Sequence, residues 1–132
     1  MTRYATAFAR PEATYRAVDL AGRTGGEDAA GLVSLLYAEA SRALRSAAWA
    51  AEHRRYDLKS ERVTRALAIL FALESGLDFD AGGEVSRTLS RVYQGARGEV
   101  IEASLGSDPR PFVAVATTLD EIAGAWDAAR RA

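Results

Sequence analysis

The sequence predicts an all-α fold: an antiparallel up-down-up-down four-helix bundle with a short N-terminal helix or arm. Three observations carry that prediction. Four segments, each of about 20 residues, repeat apolar positions at the helical period of 3.6. The gaps between them are short and hold turn and capping residues, which makes successive helices antiparallel neighbours. The composition is alanine-rich and poor in helix breakers, with 11 glycines and 3 prolines among 132 residues.

Residues 1–27 form the arm and 28–132 the bundle. The arm is the least regular part; "TYRAVDLAGRTGGED" fits a short helix ending at Gly22, Gly25 and Gly26. The first bundle helix runs from about Asp28 to His53, with Val33, Leu36, Tyr37, Ala40, Leu44, Ala47 and Ala51 on one stripe. The second runs from about Asp57 to Ser75. Val63, Ala66, Leu67, Leu70, Leu73 and Leu77 share its face, Asp57 suits the N-cap and Gly76 the C′ position. Glu61 and Arg65 are spaced as an i,i+4 ion pair.

The third helix runs from about Gly82 to Leu105, its stripe being Val85, Leu89, Val92, Tyr93, Ala96, Val100 and Ala103. Asp80 is expected to cap it. Gly95 and Gly98 lie inside it, each costing about 1 kcal/mol against alanine, and close packing against a neighbouring helix is the expected reason. Gly106 ends it. The fourth helix opens at "SDPRPF", with Asp108 at the N-cap and Pro109 at N1. Phe112, Val115, Ala116, Leu119, Ile122, Ala123 and Trp126 form its stripe. The β-branched "FVAVATTL", 112–119, also suits a strand, but a lone strand has no partner here, so helix is preferred.

Several function classes are disfavoured. There are 17 basic and 18 acidic residues, a formal net charge of −1, without the basic excess of a nucleic-acid binder. The clusters at 53–55 and 129–131 read as helix-end charges. The absence of cysteine excludes disulfides and thiolate metal sites. The opening residues hold no apolar signal-peptide core, and "ALAILFAL", 66–73, falls far short of the ~20 residues that span a bilayer. A cytoplasmic location without membrane insertion is expected. His53 has no second histidine to share a metal and reads as a helix C-terminal cap. "DFDAGGE", 78–84, would need oxygen ligands where Gly82 and Leu89 stand, so it is a turn and not a calcium loop. "GRTGGED", 22–28, lacks the ending of a phosphate loop. No catalytic constellation, cofactor site or metal site is expected.

What remains is apolar residues off the core stripes. Leu35, Arg42 and Trp49 recur every seven residues on the far side of the first helix. Ile69 and Phe71 flank the core face of the second helix, and Ile101 lies almost opposite the stripe of the third. Such residues suggest grooves that another chain, or the N-terminal segment itself, covers.

The stretch "LVSLLYAEASRALRSAAWAAE", with Leu32, Leu36, Tyr37, Ala40 and Ala47, resembles the first bundle helix of the flagellin-export chaperone family, FliS. "ERVTRALAILFALESGLDFDAGGEVSRTLSRVYQGA" is similar to that family's second and third helices. It carries Leu77-Asp78 at the turn, Gly82-Gly83-Glu84 at the start of the third helix, then Leu89 and Tyr93. "TLDEIAGAWDAA", with Ala125-Trp126, is similar to the closing segment. The family's opening Tyr-x-x-Tyr reads here as Tyr15-Arg16-Ala17-Val18.

The resemblance implies a cytosolic chaperone that takes the disordered C-terminal segment of flagellin into apolar grooves outside the bundle. It would prevent premature polymerisation and deliver the client to the flagellar export gate. It also implies an N-terminal arm that covers part of this surface, with Tyr15 as gate and Val18 and Leu20 beside it. Wheel positions assign Ile69, Phe71 and Ile101 to the client grooves and Leu35 and Trp49 to arm docking. Two other readings stay open: a small-molecule-binding or enzymatic bundle, and a client-free dimer using Trp49. Oligomeric state, monomer or weak dimer, is not fixed by the sequence.

Overall fold

A computed structural model describes residues 29–131. Four helices make up this part: α1 (Ala29–Glu52), α2 (Tyr56–Ser75), α3 (Phe79–Ser104) and α4 (Arg110–Arg131). No strand occurs among the described residues, and 112–119 lies within α4. α1 packs on α2 and α4, α2 on α3, and α3 on α4, so α1 and α3 stand diagonally across a four-helix bundle. The packing of α3 on α4 is the thinnest of the four seams. The arm predicted for residues 1–27 lies outside the described residues.

The stripes meet in one core. Val33, Leu36, Tyr37, Leu44, Leu70, Leu73, Tyr93, Val100, Phe112, Leu119 and Trp126 are all buried in it. Each fully buried large apolar side chain contributes roughly 1.5–3 kcal/mol. The Tyr37 and Tyr93 hydroxyls meet at 2.5 Å in its middle, which lets two phenols be buried and ties α1 to α3 across the diagonal. Around α1 the alanines Ala40, Ala43, Ala47, Ala48, Ala50 and Ala51 are all buried. Their small size lets α2 and α4 approach α1 from two sides.

Several local expectations are corrected. Arg55, not Asp57, holds the N-cap position of α2, without a side-chain hydrogen bond, and Asp57 sits in the first turn. Gly76 ends α2 in right-handed conformation, φ −82°, so no left-handed C′ residue is needed there. The left-handed residue stands at the end of α1: Arg54, φ 57°. The N–H of Arg55 donates to the Ala50 carbonyl at 2.8 Å and that of Arg54 to the Ala51 carbonyl at 3.4 Å, the two bonds of a Schellman ending. Asp78, not Asp80, caps α3, its Oδ1 accepting from the Ala81 N–H at 2.9 Å. Asp108 does accept from the Arg110 N–H at 3.0 Å, the capping bond expected of it, and the regular helix of α4 runs from Arg110. Arg65 does not pair with Glu61 but reaches Glu39 on α1 at 3.5 Å.

α3 holds the two main departures. It is kinked at Gly83, whose φ of 53° and ψ of −123° are closed to residues with a side chain. The buried Ser86 hydroxyl donates to the Asp78 carbonyl at 2.9 Å and braces the turn before the kink. Gly95 and Gly98 do not pack closely on any neighbour. A Cβ added at either would meet nothing within 4 Å.

Candidate functional site

Two apolar surfaces lie outside the filled core, on opposite sides of the bundle. The first is the rim where α2 meets α3. Phe71 on α2 is 59% exposed and Ile101 on α3 is 51% exposed. The Arg97 guanidinium lies 5.7 Å from the centre of the Phe71 ring, and Ile101 follows one turn later on the same face of α3. Leu67, half-buried, lies one turn before Phe71 on α2. Leu105, 84% exposed, continues the line one turn past Ile101. The result is a row of exposed apolar groups with a cation set into it.

A polar tie holds the rim together. Glu74 on α2 accepts from Ser90 at 3.0 Å and Gln94 at 2.6 Å, and forms an ion pair with Arg97, all three on α3. Burial pushes the Glu74 carboxyl up, but the hydrogen bonds from Arg97, Gln94 and Ser90 and the charge of Arg97 outweigh it. The group stays below the ordinary carboxylate value. Arg97 is fixed by this pair and so presents itself to Phe71.

The second surface is a groove of about 540 Å³ between α1 and α4, floored by Ala48, Trp49, Pro109, Val113 and Ala114 and edged by Arg45, Glu52 and Arg110. Trp49 is 47% exposed and stacks on His53, ring centres 4.1 Å apart. His53 Nδ1 lies 2.8 Å from the Trp49 carbonyl, the capping role expected of it. The Asp108 carboxyl, hydrogen-bonded by the Arg110 guanidinium and backbone N–H, is held below its ordinary value at one end of the groove.

Among the predicted site residues, Phe71 and Ile101 come together on the rim and Trp49 lies in the α1–α4 groove, while Leu35 is half-buried on α1. Ile69 is corrected. It is 0% exposed, a core residue, and lines no surface groove. It shares the flank of α2 that carries Arg62 and Arg65, and that flank is covered by α1. Tyr15, Val18 and Leu20 lie outside the described residues. The sequence reading missed Leu105, Val113, Phe79 and Tyr56, all exposed. Leu105 had a signal, an apolar residue directly before the terminating Gly106. Among the described residues no group of three or more His, Cys, Asp and Glu converges to hold a metal ion, and no helix is long and apolar enough to cross a membrane.

Residues 12–132 match the family model described as "Flagellar protein FliS". The chain is 29% identical over 96 residues to the flagellar secretion chaperone FliS of Vibrio cholerae, covering 73% of this chain and 71% of that one. It is 31% identical over 96 residues to that of Salmonella typhimurium, covering 72% and 71%. With the flagellar secretion chaperone FliSB of Pseudomonas aeruginosa it shares 26% identity, over 86% of this chain and 90% of the relative.

Proposed function

The chain belongs to the FliS family, and from that premise we propose that it is a cytoplasmic export chaperone for flagellin. It binds the disordered C-terminal segment of flagellin, keeps it from polymerising early and delivers it to the flagellar export gate. The observation that carries this reading is the apolar rim at Phe71 and Ile101, left outside a core that is already full. A disordered client loses conformational freedom on binding, and burial of apolar surface must return it, at roughly 25 cal/mol per Å². An exposed phenylalanine and isoleucine beside an arginine held by Glu74 supply such surface.

The α1–α4 groove at Trp49 suits the chain's own N-terminal arm, with Tyr15 as its gating residue and Val18 and Leu20 beside it. Leu35 is the weaker partner of Trp49 in this role because it is only half-exposed.

Calorimetric titration of the full chain with a flagellin C-terminal peptide tests the proposal. Changing Phe71→Ala and Ile101→Ala together should weaken binding at least about tenfold, as for buried anchors of an interface. The melting temperature should hardly move, because neither side chain is in the core. Undiminished affinity in the double variant contradicts the assignment of the rim.

A further inference from the structure

On the flank of α2 opposite Phe71, a cleft of about 290 Å³ opens between α1 and α2, lined by Glu39, Arg42, Ala43, Ser46, Arg62 and Arg65. The Glu39 carboxylate forms its floor, its side chain only 8% exposed. One oxygen accepts from Arg42 and the other takes Arg65 at 3.5 Å. Arg62 does not join them. Its Nε is buried and finds no hydrogen-bond acceptor, and the exposed Glu61 carboxylate stops 3.7 Å away. Buried N–H groups are rarely left without an acceptor, so this one marks a place where an acceptor is wanted.

The charge balance points the same way. Three guanidinium groups and the Glu39 carboxylate line the cleft, and with the exposed Glu61 beside Arg62 counted in, one positive charge is left in surplus. The chain as a whole carries a formal −1, so the surplus is local. Guanidinium forks match the two oxygens of a carboxylate, and Glu39 already shows how the cleft holds one. Ala43 and the methylene stems of the arginines supply an apolar wall. A carboxylate arriving on its own methylene stem would bury that stem against the wall; a free inorganic anion has no stem to bury.

We infer that this cleft is a binding site for the acidic side chain of a partner protein, held by Arg62 and Arg42 above the Glu39 floor. The site is separate from the α2–α3 rim, so both can be occupied at once.

The test is an NMR titration of the full chain that follows the arginine Nε–Hε signals as hexaglutamate is added, with inorganic phosphate in a parallel arm. The Arg62 signal should shift saturably with hexaglutamate and need at least tenfold more phosphate for the same shift. Arg42→Gln with Arg62→Gln should weaken hexaglutamate binding at least tenfold, and Arg87→Gln, on the outside of α3, should leave it unchanged. Absence of a saturable Arg62 shift in the unaltered protein overturns the inference. So does an equal response to phosphate, which makes the cleft a site for small anions only.

Discussion

α1 and α3 are diagonal partners of similar length built on opposite rules. α1 is buried on a broad arc, its leucines turned into the core and its alanines pressed by neighbours on two sides. α3 buries one narrow stripe, Gly82, Ser86, Leu89, Tyr93, Ala96 and Val100. It is bent at Gly83, carries two glycines with open space around them, and leaves Ile101 and Leu105 in solvent. In this bundle α1 acts as the spine and α3 as a wall with much of its surface outside the core. Under the proposed function the client is met at the α2–α3 rim, away from the core-facing arc of α1, so the two can be perturbed separately.

The largest effect should come from the spine. Leu36→Ala removes a fully buried side chain where two neighbouring helices already press closely, and should cost about 2–5 kcal/mol in denaturant unfolding. Next comes the bend of α3. Gly83→Ala places a side chain at φ 53° and should cost about 1–3 kcal/mol, although nothing lies within 4 Å of the added carbon. The same exchange should have the opposite sign twelve and fifteen residues later. Gly95→Ala and Gly98→Ala should each stabilise the free protein by about 1 kcal/mol, because the helix gains a better former and no neighbour is displaced. A loss of stability there would mean that α3 is packed after all.

The smallest effect is that of pH on the tie between α2 and α3. The folded-state value of Glu74 is depressed below its ordinary 4.5. Its contribution is therefore fully present above that value and is lost as pH falls through the lower folded value. Stability measured against pH should drop in that acid range, and Glu74→Gln should flatten that part of the curve. Ile101 should then become more accessible in acid, as Glu74 on α2 loses its hold on Arg97 of α3.

The bundle was legible because its stripes are long and regular: the 3.6 period from Val33 to Ala51 and from Phe112 to Trp126 leaves little choice of fold. Core and rim were harder to separate. A helical wheel measures angle from a stripe, but not how wide an arc the neighbours cover. Ile69 and Phe71 stand at similar angles on either side of the α2 stripe. One is buried because the small residues of α1 let it come close; the other stays exposed because α3 packs below it. Gly95 and Gly98 misled for a related reason. Glycine in a helix signals close approach only where another helix is there to approach, and the outer side of α3 faces open space. Two caps differ from expectation: before α3 both Asp78 and Asp80 are on offer and backbone geometry lets Asp78 reach the free N–H, and before α2 Arg55 takes the N-cap position with no side-chain bond.

The separation of spine from wall is tested most directly by hydrogen exchange on the full chain, with and without the flagellin C-terminal segment at saturation. The segment should slow exchange along α3 around Ile101 and on α2 around Phe71, and leave the amides of α1 from Leu36 to Ala47 at their already slow rates. Slowing confined to α1, with α3 unchanged in a complex shown to have formed, would contradict it.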